Sequence, residues 1–309
     1  MPCKPKLLML IVLALLTHVP LFSQHYDYDG LRDPTDYWEA AVTIGGNNFL
    51  GDLGGNKGKG KPLLKDYRFG NNRFLVGASG NYNLTNYAAF NFGFNFAQIS
   101  DADSLINNTG DFERWRFYRN LSFKSNILEA YAGVTFYPVM YIQRRKIELH
   151  RINPFVSIGF GIFHFNPKTF YQGEWIKLQP LHLEGQGFAE YPDRKPYKLY
   201  QPYIPIQLGV KTYIDNHWSF ATGATIRKTF TDYMDDISTT YIEPQLFDKY
   251  YTPEVAIMAR NLYSRSITPW KVKPGVVKAN ADDMDSYITF FATFYFRFEK
   301  YVPFYYPKM

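Results

Sequence analysis

Alternation of apolar with small or polar residues recurs eight times along this chain, and a side-chain period of two is the mark of a β-strand. In the clearest run, Ala88 to Gln98, Phe90, Phe92, Phe94 and Phe96 alternate with Asn91, Gly93, Asn95 and Ala97. One face is all rings, and the other carries nothing that fills a hydrophobic core. Seven further runs divide in the same way, centred on Trp38–Ile44, Phe74–Tyr82, Leu128–Phe136, Val156–Ile162, Ile204–Val210, Trp218–Ile226 and Ile288–Phe298. Strands of about ten residues match what a tilted membrane-spanning strand requires.

A soluble β-sandwich also alternates, with its apolar face turned inward. The connections decide against it. They are short or moderate at Leu84–Tyr87, Val139–Ile152 and Asp215–His217, and long at Gly46–Asn71, Ser100–Ile127, Pro167–Tyr203 and Thr231–Ser286. Strict alternation of short and long is the rhythm of an up-and-down barrel with short periplasmic turns and long outer loops. The predicted fold is therefore all-β, an eight-stranded antiparallel transmembrane β-barrel over 38–298. An even strand number puts both ends of the barrel on the periplasmic side, with a segment 25–37 before it and a tail 299–309 after it. Within the fourth outer loop, Ala256–Tyr263 is able to form a short helix.

The first residues explain how such a chain reaches a membrane. Lys4 and Lys6 precede an apolar run from Leu7 to Leu16, which is a signal-peptide grammar and is too short to span a bilayer. Residues 1–24 are assigned as signal, and with them go two lysines, no acids and Cys3, the one cysteine, lowering the net charge from +6 to +4. The mature chain is thus expected without disulfide, thiolate or cysteine–zinc chemistry. The full sequence is rich in rings: 19% of residues are aromatic against 20% charged, with 27 Phe and 26 Tyr. A lipid-facing surface accounts for the Phe, and an interfacial girdle for Trp38, Tyr82, Tyr87, Tyr137, Tyr203, Trp218 and Tyr287.

An eight-stranded barrel is just wide enough for side chains to fill it. The inward set contains Glu39 and Glu129 against Lys211, Arg227 and Arg297, and buried charges of opposite sign are expected to pair and plug the lumen. Other chemical signals are weaker. Gly46 and Gly51 have phosphate-loop spacing, but Asp52 and Leu53 follow in place of Lys and Ser or Thr, so the glycines read as a rim turn. Acids gather at Asp101 and Asp103, at Asp232, Asp235 and Asp236, and at Asp282, Asp283 and Asp285, none in a calcium-loop pattern. His164 is the histidine best placed for a lipid-facing hydrolase, with Ser157 on the same strand and no evident acidic partner. Arg114–Arg119 interleaves cations with rings, an arrangement suited to anionic head groups at a membrane interface; Lys57, Lys59 and Lys61 read as a solvated loop. Arg144, Arg145 and Lys146, in the longest periplasmic turn, are a candidate contact with a periplasmic partner.

Several blocks, Trp38–Gly54, Tyr118–Ser125, Pro154–Lys168, Glu174–Gly187 with Tyr191, Pro192 and Lys195–Tyr197, and Phe230–Tyr241 (FTDYMDDISTTY), resemble a family of small Bacteroidota outer-membrane barrels that includes PorG of the type IX secretion system. The resemblance implies a non-catalytic eight-stranded barrel; the cell outer membrane is the expected location, and neither a cofactor nor a nucleic-acid partner is expected. The resemblance also implies that the barrel anchors an envelope assembly, tethering the periplasmic ring of PorK and PorN, amid outer-membrane lipid and lipopolysaccharide. Two other classes compete: a surface barrel whose loops bind lipopolysaccharide, glycan or another cell, and a lipid-modifying enzyme centred on His164.

Overall fold

The computed structural model describes residues 36–53, 71–106, 110–142, 152–215, 217–267, 272–281 and 283–298. The assigned signal, most of segment 25–37, Lys57, Lys59, Lys61, Arg144, Arg145, Lys146, Asp282 and the tail 299–309 lie outside the described residues. Eight long strands form the barrel: β1 (Tyr37–Leu50), β2 (Arg73–Thr85), β3 (Ala88–Ala102), β4 (Ser122–Phe136), β5 (Ile152–His164), β8 (Tyr200–Tyr213), β9 (Trp218–Thr229) and β10 (Ser286–Arg297). Neighbours pair antiparallel in the order β3, β2, β1, β10, β9, β8, β5, β4, and β3 pairs with β4, closing the sheet on itself. Closure leaves no open edge, so every strand's backbone groups are met by a neighbour.

The expected alternation is present in the burial of each strand. On β1, Tyr37, Glu39 and Ala41 are buried while Trp38, Val42 and Ile44 are exposed; on β4, Ile127 and Glu129 are buried while Leu128 and Val134 are exposed. Apolar side chains thus face out and charged ones face in, the reverse of a soluble protein. Among the described residues no helix is long and apolar enough to cross a membrane; crossing is left to the strands.

The strands run to 12–15 residues, longer than the hydrophobic alternation alone marks. Their extra length lies beyond the apolar band, where the outward face turns polar (Lys124, Asn126, Gln98) while Ala97, Ile99, Phe123 and Ile127 stay buried inside and the backbone ladder continues. Ser122–Ile127 pairs with Ala97–Ala102 in unbroken register. Gly45 and Gly46 are likewise inside β1, opposite Phe291 and Phe290, rather than in a rim turn. A side chain at Gly45 would sit 2.7 Å from the Phe290 carbonyl, so this position is a close approach between backbones.

The loop end is a folded cap. A short hairpin of β6 (Lys168–Tyr171) and β7 (Glu174–Lys177) extends β4 through Lys124 opposite Lys168. Helix α1 (Asp111–Arg119) precedes β4, a short α2 (Pro138–Ile142) lies in the β4–β5 turn, and α3 (Leu246–Tyr250) and α4 (Pro253–Tyr263) fill the fourth loop. Pro253 occupies the first turn of α4, where its missing N–H is not needed. The helix buries Ala256, Ala259, Leu262 and Tyr263, which share one face. These join Phe163, Phe165, Leu181, Leu183, Phe188, Met234 and Ile242 in a core continuous with the barrel mouth.

Candidate functional site

The lumen holds the five predicted charges, sorted into two levels. Near the turn end, Lys211 on β8 donates from Nζ to both oxygens of Glu39 on β1, at 2.8 and 2.6 Å. Asn83 Nδ2 also donates to Glu39, at 3.1 Å. Arg297 lies opposite Glu39 in the β1–β10 register, and its guanidinium stacks 3.7 Å from the Tyr37 ring. Toward the loop end, Arg227 on β9 is 2.9 Å from Glu129 on β4. Asn95 Nδ2 donates to Glu129 at 2.8 Å, and the Tyr203 and Tyr287 hydroxyls donate to it as well. Arg227 also donates to Thr289 Oγ1 at 2.6 Å. The lumen charges thus form two separate ion pairs, with Arg297 held on a ring. All four paired charges are 4% exposed or less. Each acid has hydrogen bonds beyond its cation, which a buried pair needs to offset desolvation.

Apolar layers close both ends. Tyr137, Met140, Phe155, Ala221 and Phe291 pack together at the turn end, and the cap core covers the loop end. Three residues expected in the interfacial girdle belong to this interior: Tyr137, Tyr203 and Tyr287 are 6%, 0% and 0% exposed. Their place in the alternation turns them inward, where the Tyr203 and Tyr287 hydroxyls donate to Glu129. Trp38 and Trp218 do stand outside, about half exposed.

The acidic groups of the outer loops are mostly inside the cap. Asp103 accepts from Arg119 Nε and Nη2, at 2.8 and 2.9 Å, and from the Leu121 N–H. Arg119 donates further to the carbonyls of Lys278 and Asp52, at 2.6 and 2.8 Å. This arginine, read from sequence as part of a membrane-interface patch, instead clamps the first, second and fourth loops together. Lys278 and Glu184 form a second buried pair at 3.4 Å, and Glu184 accepts from the Ser238 and Thr239 N–H groups.

The remaining carboxyls meet the cap differently. Asp235 accepts from the Leu53 and Ile237 N–H groups, Asp285 from the Met234 N–H and Asp236 from the Tyr197 hydroxyl. Both oxygens of Asp232, Oδ2 of Asp236 and Oδ1 of Asp285 have no hydrogen-bond partner. Burial pushes Asp232 up to about 8 and Asp236 to about 7. Burial, and then neighbouring carboxyls, raise Asp235 and Asp285 well above the usual carboxylate range. At neutral pH Asp232 therefore keeps its proton and Asp236 is about half protonated, because a charge at this depth is far more costly than a neutral carboxyl. A cavity of about 20 Å3, room for one water molecule, lies against Asp235, Asp236 and Lys278. Among the described residues no group of three or more His, Cys, Asp or Glu is arranged to hold a metal ion.

Ser157 and His164 are not brought together. His164 and Ser157 are seven positions apart on β5, an odd number, so they face opposite sides of the sheet. Ser157 points into the lumen and donates to the Val134 carbonyl at 3.0 Å, while the His164 ring lies 4.8 Å from Tyr200. Serine and histidine cannot act on one substrate from there.

The cap's braces were not visible as a site in the sequence; Glu184, Tyr197 and Thr240 fall in the quoted blocks, while Arg194 lies between them. Arg194 reaches Glu184 O at 2.8 Å and Thr240 Oγ1 at 2.6 Å, and Tyr197 reaches Asp236 at 2.6 Å. The third-loop blocks thus fold directly against FTDYMDDISTTY.

No family model matches the chain, and no curated protein matches it. Among solved structures it is similar to Neisserial surface protein A, at 8% identity over 85% of this chain and 97% of that one, with a TM-score of 0.37. Ail of Yersinia pestis is 8% identical over 86% and 100%, TM-score 0.37, and OprG of Pseudomonas aeruginosa 8% over 86% and 98%, TM-score 0.34. The chain's own geometry carries the conclusion. A closed sheet with ion pairs inside and a belt of Phe92, Phe94, Phe160, Ile162, Leu208 and Phe294 outside is stable only where hydrocarbon surrounds it. The protein is an eight-stranded outer-membrane β-barrel beneath a folded cap.

Proposed function

We propose that this is a non-catalytic barrel that anchors or organises an envelope assembly, and specifically a PorG-like component of type IX protein secretion. The observation that supports it most is the lumen, filled by two ion pairs and closed by apolar layers at both ends. A barrel packed in this way offers its surfaces rather than a path. Binding of PorK and PorN ring proteins is assigned to the turn end, with Arg144, Arg145 and Lys146 as the contact. Deleting the gene is expected to block export of proteins that carry type IX C-terminal signals, and normal export in the deletion strain rejects the secretion role. Crosslinking from Arg145 in intact cells is expected to recover ring lipoproteins.

The cap favours a second reading, in which the outer loops bind a ligand or another cell. Loops that only connect strands need no core, yet these share Phe188, Phe247 and Tyr263 with the barrel mouth. If secretion is normal and exchange of the third and fourth loops abolishes surface attachment, this reading replaces the first.

A further inference from the structure

Lysines stand directly opposite one another across three neighbouring strands. Lys124 on β4 faces Lys168 on β6, and Lys168 faces Lys177 on β7. Opposed residues of an antiparallel pair share a face, and like charges placed so destabilise the sheet. Strands are about 4.8 Å apart, so the three ammonium stems start within about 10 Å. On the β3 side the row continues to Ser100, opposite Lys124, where Arg73 Nε donates to Ser100 Oγ at 2.6 Å. The sheet thus concentrates positive charge along one line.

That line lies on the lipid side. Lys124 has the parity of Leu128, which is 56% exposed in the apolar belt, and four residues of strand separate them by about 13 Å. On the hairpin, Phe170 and Trp175 share the lysine face, half exposed with centroids 5.5 Å apart, and Lys124 Nζ sits 5.1 Å from the Trp175 ring. The opposite face, with Thr169, Tyr171 and Ile176, packs on the cap: Arg265 donates to Thr169 Oγ1 at 2.9 Å and Asn261 to the Tyr171 hydroxyl at 2.7 Å. Hydrocarbon belt, polar step, cations and then rings follow in the order of a lipid's acyl chains, phosphates and sugars.

We propose that the Lys124–Lys168–Lys177 row, with Phe170 and Trp175, is a binding site for the phosphorylated head group of an outer-leaflet glycolipid whose acyl chains lie along the belt at Leu128 and Ile162. Phosphate between the ammonium groups relieves the like-charge row, and Trp175 offers a flat face to a sugar ring. The site is independent of the secretion role.

The test uses the full protein in detergent micelles, with bisphosphorylated lipid A as probe and Trp175 fluorescence as readout. The triple variant Lys124→Gln, Lys168→Gln, Lys177→Gln is expected to bind roughly tenfold or more weakly, since charge-assisted contacts to phosphate are the strong ones. Lipid A stripped of phosphate should bind the native protein as weakly, and inorganic phosphate at the probe's concentration should not displace the lipid. The triple Lys→Arg variant keeps binding and controls for folding. Undiminished binding by the Gln variant, or equal binding of the dephosphorylated lipid, overturns the proposal; displacement by inorganic phosphate removes the glycolipid from it.

Discussion

The lumen and the cap both bury acids, and they neutralise them by different means. In the lumen, Glu39 and Glu129 each meet a base from the opposite wall, 172 and 98 residues away in sequence. In the cap, Arg119 and Lys278 are engaged with Asp103 and Glu184, while burial raises Asp232, Asp235, Asp236 and Asp285 above the usual carboxylate range. A barrel wall brings strand residues to fixed heights, so one acid and one base can be matched across it. Loops converging on a mouth bring acids from several directions. The raised carboxyls make the cap responsive to pH changes near neutrality.

The largest expected effect tests the lumen half of that contrast. Arg227→Met leaves Glu129 buried without its cation and should cost about 3–5 kcal/mol in denaturant unfolding from micelles. Adding Glu129→Gln should restore more than half of the loss. A single variant of native stability would mean that the pair contributes nothing. Next, Arg119→Ala removes a bidentate carboxylate contact and two carbonyl contacts, and about 2–4 kcal/mol of cap stability is expected to go with them. Limited proteolysis should then cut at 103–121 and 272–281 while the strands stay resistant; cuts spread over the strands would show that cap and barrel unfold as one.

The pH dependence sharpens the comparison further. Asp232 and Asp236 titrate near 4 in an unfolded chain and at about 8 and about 7 in the folded cap. The folded cap binds more protons between those values, so the stability they contribute is complete below about pH 4 and is lost as pH rises through about 7 and 8. Hydrogen exchange in the segment 230–242 should accelerate from pH 5 to 9, after correction for intrinsic rates, while β1 and β10 amides keep their protection. Asp232→Asn should flatten the cap's response. Acceleration toward acid would reverse the sign and refute the assignment. The smallest effect belongs to the exposed Arg260–Asp248 pair between α4 and α3. Arg260→Ala should change stability by no more than about 0.5 kcal/mol.

How much of this the sequence disclosed follows from where periodicity survives. Phe90, Phe92, Phe94 and Phe96 announce a strand and its outward face, and the same parity puts Glu39, Glu129, Lys211 and Arg227 inside. Parity also held the answer for Tyr203 and Tyr287, which stand between outward residues, but a Tyr near a strand end also fits an interfacial girdle. Partners were out of reach, since register between β1 and β8 is set by the closure of the whole sheet. In the cap, apolar residues such as Phe165, Leu183, Phe188 and Met234 have no common period, so loops that share a core read as separate solvated segments. Asp232, Asp235 and Asp236 looked exposed for the same reason. The β6–β7 hairpin is only four residues a strand, too short for alternation to show.

The central claim is that the barrel is packed shut. Single-channel recording of the purified protein in a planar bilayer tests it most directly. The two buried ion pairs and the apolar layers at either end predict a flat baseline with no steady open level across ±100 mV, roughly the range of a membrane potential. A stable, reproducible open conductance from the folded protein would contradict that account.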